Sequence, residues 1–201
     1  MSLKILGTGS YLPPRFVTND ELAQTLDTSD EWIYSHTGIH ARHIADESDC
    51  TSTMATKAAR AAMAAAGVKP EEIGLIIVAT SSPDYNTFPS TACLVQAALG
   101  CPATGAYDLQ AACAGFVYAL DQARCWVKVN NTKKAIVIGA ETLSRVVDWR
   151  DRSSCILFGD GAGAVVLGDV PGESGPDAHS VLWADGNGAG FISREGGSRR
   201  K

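Results

Sequence analysis

The chain has 201 residues, 45% of them hydrophobic and 19% charged, which is enough for one substantial domain with a large buried core. A formal net charge of −5, with no basic stretch interleaved with aromatics, gives no support to nucleic-acid binding. The longest apolar runs, 73–79 and 135–140, fall far short of a membrane span, and no leader-like segment precedes Leu3-Lys4-Ile5-Leu6, so no membrane partner and a cytoplasmic location are expected.

Leu3 to Gly7 reads as a first strand and Gly9 to Pro14 as a loop. Asn19 is placed to cap a short helix whose first turn carries Asp20 and Glu21, the charge sign that suits a helix N-terminus. Thr28-Ser29-Asp30-Glu31 has capping-box spacing, so a second helix is predicted from near Ser29, carrying Trp32 and Ile33. The alanine-rich segment 53–66 predicts a strong helix closed by Gly67. After a turn through Lys69 and Pro70, the continuous β-branched run from Leu75 to Thr80 predicts a strand covered on both faces. Pro89 is placed to open a helix that runs to Leu99 and stops at Gly100. Gly105 to Leu109 has strand character; Phe116, Val117, Leu120, Ala123 and Val127 then recur at helical spacing. An Asn130-Asn131 turn leads to a second buried strand, Ala135 to Ala140, and Cys155 to Leu167 reads as strand, glycine loop, strand. Alternating helices and strands predict a layered α/β fold with a mostly parallel sheet. Beyond Val170 the chain turns rich in Gly, Pro, Ser and Asp, with only Val181 to Ala184 strand-like, and the terminus Arg194 to Lys201 resembles a broken loop.

The chemistry is placed at Ala111-Ala112-Cys113-Ala114-Gly115. Residues this small let the backbone turn sharply from strand into helix and leave one side chain at the apex, the geometry of a nucleophile elbow with a thiol in place of a serine. A thiol at a helix N-terminus meets unpaired N–H groups and the positive end of the dipole, which favour the thiolate. The plainer reading of Cys113 is a buried structural cysteine. The six cysteines lack C-x-x-C or His-paired spacing, which argues against disulfides and a zinc site. Gly159-Asp160-Gly161-Ala162-Gly163-Ala164 fits neither phosphate-loop nor dinucleotide spacing, so its glycines are read as a tight turn or a close backbone contact. Trp32 is either core or a flat platform for a ring, and Arg152 either a solvated charge or a guanidinium that stacks or holds phosphate. His36, His40 and His43 are close in sequence but not on one helix face, so a shared metal is not expected. His179 lies in the loop-rich tail.

Six segments in order resemble the β-ketoacyl-acyl carrier protein synthase III family: 7–13, 27–33, 37–39, Phe88-Pro89-Ser90, 111–116 and 158–164. The resemblance runs from Leu3 to about Gly188. It implies a thiolase-like layered αβαβα fold, mainly its amino-terminal half, in an enzyme usually paired as a homodimer. Residues 1–170 would form that half with the nucleophile cysteine, and 171–201 a linker into the second half. It implies that Cys113 takes an acyl group from acyl-CoA, which then condenses with malonyl-acyl carrier protein with loss of CO2. It further implies that Trp32 stacks on the CoA adenine with Arg152 on its other side, that Thr28 lies near the CoA entrance and that Phe88 shapes the acyl pocket across the dimer interface. His36 stands where many relatives carry an arginine directed to CoA phosphate. Acyl-CoA enters as substrate and no cofactor is implied. The histidine and asparagine that act on the malonyl unit have no counterpart here and are expected on a missing or separate carboxy-terminal half. The alternatives are a polyketide, quinolone or hydroxymethylglutaryl-type synthase, an inactive assembly partner, and a Cys-His-Asp hydrolase using His179 with Asp148, Asp160 or Asp177.

Overall fold

The most apolar runs of the sequence become the middle of a five-stranded sheet in the computed structural model, which describes residues 2–130, 133–170 and 180–193. Its strands are β1 (Ser2–Tyr11), β4 (Ile73–Ala79), β5 (Gly105–Leu109), β6 (Lys134–Thr142) and β7 (Asp160–Val170), in the order β1-β7-β6-β4-β5; β2 (Phe16–Thr18) and β3 (Ala41–His43) form a separate antiparallel pair. The helices are α1 (Asn19–Ala23), α2 (Asp30–Thr37), α3 (Thr51–Ala66), α4 (Thr91–Leu99) and α5 (Gly115–Val129).

The sheet is mixed, which corrects the mostly parallel expectation. β4 pairs in parallel with β5 and β6, whereas β7 is antiparallel to both β1 and β6. The connections explain this, since parallel neighbours need a long crossover. α4 and α5 supply the crossovers from β4 to β5 and from β5 to β6. Between β6 and β7 there are only 3-10 turns at Leu143–Arg145 and Cys155–Leu157, and the chain doubles back.

α3 and α4 cover one face through Met54, Ala58, Ala62 and Val95 against Ile76, Val78, Ile138 and Val166. α5 covers the other through Ala119, Ala123 and Val127 against Leu75, Ile77, Val137 and Leu167. β4 and β6 are thus buried on both sides, as their uninterrupted apolar sequences predict. Each fully buried isoleucine here contributes about 1.5 to 3 kcal/mol. A smaller core of Val17, Leu22, Ile33, Ile44, Cys155 and Ile156 joins α1, α2 and the β2–β3 pair to the segment before β7.

Several local expectations shift. β1 continues through Tyr11 where a loop from Gly9 is predicted, because α3 lies directly on it: a Cβ on Gly7 would stand 2.5 Å from Ala66 N, and one on Gly9 2.3 Å from Ala62 N. The cap of α1 is Thr18, whose Oγ1 accepts from Glu21 N (3.2 Å), while Asn19 is the first helical residue and is buried. Ser29 caps α2 by accepting from Trp32 N (3.1 Å), so the Thr28–Glu31 box is not formed. α3 starts at Thr51, and α4 starts at Thr91 under Ser90 rather than at Pro89, its first N–H groups at Thr91 and Ala92 donating to the Asp108 carboxylate (2.7 Å each). On α5, Val117 is exposed and Ala119 takes the core place. The glycine loop at 159–164 is instead the start of the continuous strand β7, with Gly161 and Gly163 paired to Glu141 and Gly139; ladder pairing leaves no cradle for phosphate. Gly159 makes the close contact, since a Cβ there would be 3.0 Å from both Arg42 Cβ and His43 O. Val181 to Ala184 forms no strand, and a 3-10 segment follows at Gly186–Gly190. Asn131, Asp177, His179 and 194–201 lie outside the described residues.

Candidate active site

β5 ends at Leu109, a 3-10 turn takes Ala112–Ala114, and α5 begins at Gly115. Cys113 sits at the centre of this turn and is exposed, which sets aside the buried-cysteine reading. The preceding Ala112 has φ +45°, a left-handed conformation that costs a residue with a Cβ about 1 to 2 kcal/mol. Strain of this kind concentrates at functional sites. The turn is held by Ala114 N donating to Ala111 O (3.1 Å) and Gly115 N donating to Ala112 O. Gly115 seats α5 on the end of β4: a Cβ there would be 3.3 Å from that of Ala79. The expected strand-to-helix elbow is present.

A second group forms on α2 and the loop before it. Trp32 is half-buried against the smaller core, with the His36 ring stacked on it at 4.4 Å and the Arg152 guanidinium over it at 4.9 Å. It is both core-packed and a platform. Arg152 Nη1 donates to the main-chain oxygen of Asp27 and lies 3.9 Å from its carboxylate. His36 Nδ1 donates to Trp32 O (2.7 Å), as the i,i+4 geometry of the helix allows. Thr28 lies beside this group in sequence, and its Oγ1 is buried without a hydrogen-bond partner. Thr28, Trp32, His36 and Arg152 thus gather at one place. No described hydrogen bond, ion pair or ring contact joins Cys113, or Phe88 at 79% exposure, to this group.

The other histidines face separate partners. His40 stacks on Tyr34 (4.0 Å) and pairs with Asp30 (2.9 Å), and His43 donates to Pro13 O (2.6 Å). The hydrogen bond from His40, followed by that from Asn19, holds the Asp30 carboxyl below its ordinary range. Among the described residues no group of three or more His, Cys, Asp or Glu is placed to hold a metal ion. Asp160 is buried and taken up by Ala45 N, Ser144 N and Ser144 Oγ, while Asp148 pairs with Arg150, so neither is free to orient a histidine.

A cleft of about 670 Å³ at the carboxyl ends of β4 and β6, lined by Ser81, Ser82, Asp84, Thr142, Cys50 and Arg145 among others, escaped the sequence reading. Its wall is organised by Glu141, whose carboxylate accepts from Ser81 N (2.7 Å) and from Ser82 Oγ. The polar run Thr80-Ser81-Ser82-Pro83-Asp84 directly after a buried strand was the available signal.

Helices layered on both faces of a sheet, with a cysteine raised where a strand hands over to a helix, define a thiolase-like fold, and solved structures of that class superpose on it. The chain matches 3-oxoacyl-[acyl-carrier-protein] synthase III from Aquifex aeolicus VF5 with a TM-score of 0.81 at 53% identity, over 85% of this chain and 55% of that one. It matches the β-ketoacyl-[acyl-carrier-protein] synthase III of Thermus thermophilus with a TM-score of 0.86 at 45% identity, over 92% and 57%. A family model described as 3-oxoacyl-[acyl-carrier-protein] synthase III matches residues 107–186, the segment that contains Cys113. The β-ketoacyl-[acyl-carrier-protein] synthase III of Neisseria meningitidis serogroup A is 58% identical over 190 residues, covering 92% of this chain and 57% of the relative. That of Ehrlichia chaffeensis is 52% identical over 194 residues, covering 96% and 60%. The chain belongs to the 3-oxoacyl-[acyl-carrier-protein] synthase III family, and it spans 57 to 60% of the length of these two curated relatives.

Proposed function

We propose that the chain carries the acyl-accepting part of a condensing acyltransferase that initiates type II fatty acid synthesis. The Cys113 thiolate attacks the thioester carbonyl of an acyl-CoA, with acetyl-CoA the expected primer, and expels CoA as its thiolate. Malonyl-acyl carrier protein then loses CO2, and its enolate attacks the Cys113 thioester, releasing the thiolate and giving a β-ketoacyl-acyl carrier protein. A thiolate serves both halves of this sequence, being a good nucleophile and a good leaving group. The observation that carries the reading is the exposed Cys113 behind a strained Ala112, inside the segment that matches the family.

The Trp32–Arg152 pair supports a CoA entrance, where the adenine enters between them and Arg152 lifts off the indole. Thr28, next to Asp27, lies at the same entrance with its hydroxyl buried and without a hydrogen-bond partner, and His36 takes the phosphate side of the ligand. Phe88 stands far enough out to enter a partner's acyl pocket, and the open edge of β5 offers the backbone of a homodimer. Residues 1–170 act as the half carrying the nucleophile and 171–201 as the lead into a second half. That half brings the histidine and asparagine for the malonyl step, in keeping with the chain's span of 57% of its Neisseria meningitidis relative. The test is the denatured intact mass of every polypeptide in the sample before and after acetyl-CoA. One acetyl increment, lost in Cys113→Ala, is expected; an unmodified chain in the presence of a completing polypeptide would overturn the reading.

A further inference from the structure

Arg42 is charged and nearly inaccessible at 6% exposure, and among the described residues it forms no ion pair. A buried guanidinium without a carboxylate is costly unless its hydrogen bonds are placed with care. Here they go to three different pieces of the fold. Nη1 donates to Val17 O on β2 (3.1 Å), while Nη2 donates to Asn19 Oδ1 (2.6 Å) and to Ile156 O (3.2 Å). Ile156 lies four residues beyond Arg152, at the end of the same loop. Asn19 is fully buried and turns its amide the other way, Nδ2 donating to Asp30 Oδ1 (2.8 Å) and to Ile39 O (2.6 Å). Asp30 and Ile39 bracket α2, the helix that carries Trp32. One side chain therefore ties the loop of Arg152 to both ends of the helix of Trp32, through a single intervening amide.

We infer that Arg42, acting through Asn19, is a positioning residue that sets the gap between Trp32 and Arg152 and so governs binding of the nucleotide end of the acyl donor. The inference rests on the reading of Trp32 and Arg152 given under Proposed function. The relay works because its members are polarised in series: the cation draws on the amide oxygen of Asn19, which strengthens the amide's donation to Asp30. Asn19→Asp separates the two links. The new carboxylate keeps Arg42 and strengthens that contact, but it has no N–H for Asp30 or Ile39 and faces Asp30 with like charge. Arg42→Lys keeps the charge and loses the fork that reaches two acceptors at once.

The experiment measures binding of adenosine 3′,5′-bisphosphate to the full chain by calorimetry, at a temperature where circular dichroism shows each variant folded. Alkylation of Cys113 by iodoacetamide serves as a reporter from the other part of the fold. Arg42→Lys and Asn19→Asp are each expected to weaken the nucleotide about tenfold, with the alkylation rate of Cys113 held within twofold. Nucleotide binding lost in Trp32→Ala but unchanged in both relay variants would overturn the inference and leave the Trp32 site standing. Binding unchanged in Trp32→Ala would overturn that site and the inference with it. Parallel loss of nucleotide binding and of the Cys113 rate would make Arg42 a general fold residue and would also overturn it.

Discussion

Cys113 shows how much of a reactive residue is made by its neighbours. The left-handed Ala112 raises it, Gly115 lets α5 start close against β4, and the thiol is left in solvent at the junction. Cys113→Ser keeps the shape of this turn but presents an alcohol in place of a thiolate, and no described histidine is hydrogen-bonded to it, so acyl transfer from CoA is expected to fall by about a hundredfold or more. Rates of acyl-enzyme formation by mass spectrometry, with matching circular dichroism spectra, test this. Asp30 allows a pH prediction. Its carboxyl is held below its ordinary value of 3.8, first by the hydrogen bond from His40 and then by that from Asn19. A depressed carboxyl contributes stability at pH values above its unfolded pKa, and that stability is lost as the pH falls through the folded value. The stability difference between the wild-type chain and Asp30→Asn is therefore expected to be full near pH 6 and to shrink below about pH 3.8, as followed by urea unfolding at each pH. A difference that persists undiminished at the acid end would show that Asp30 acts by packing alone.

At the scale of elements, two glycines on facing strands make opposite predictions. A Cβ on Gly9 of β1 would meet the backbone of α3, with Ala62 N at 2.3 Å and Ala58 O at 2.4 Å, whereas one on Gly163 of β7 would meet nothing within 4 Å. Gly9→Ala should destabilise by about 1 to 3 kcal/mol as the helix is pushed off the sheet, and Gly163→Ala by about 0.5 kcal/mol at most. Thermal unfolding of the two variants compares them directly. The same contrast shows what was legible in the sequence. β4, β6 and α3 were readable because their pattern is set by burial on two faces or one, and the Cys113 turn because small residues flank it on both sides. The glycine-rich start of β7 was not, because glycines that serve a ladder look like glycines that serve a loop. The direction of β7 depends on a connection with no helical pattern, which a strand inventory does not record. From the residues alone the Trp32 group was legible only as separate side chains, and the family resemblance supplied their grouping. What joins them is Arg152 reaching Asp27 and Arg42 reaching Ile156, across 125 and 114 positions of chain.

At the scale of the whole molecule, Phe88, Val181, Trp183, Phe191 and Ile192 are all at least 79% exposed, a large apolar surface for a chain of this size. An environment-sensitive apolar dye is expected to bind the chain strongly and to lose a measurable part of its signal in a Trp183→Ser, Phe191→Ser double variant; an unchanged signal would place the apolar surface elsewhere. The reversed strand β7 has a further consequence, which concerns the order of assembly. Of the five strands of this sheet β1 is made before the others and its ladder partner β7 after them, with Ser2 opposite Val170 and Tyr11 opposite Ala162. β4, α4, β5, α5 and β6 join through crossovers far shorter than the separation of β1 and β7, so they are positioned to condense early, while β1 must wait for some 160 residues of chain to be synthesised and returned to it. Until β7 is made, β1 has no ladder partner among the described strands, and the strand that runs against the grain of the sheet is the one that joins it to the rest.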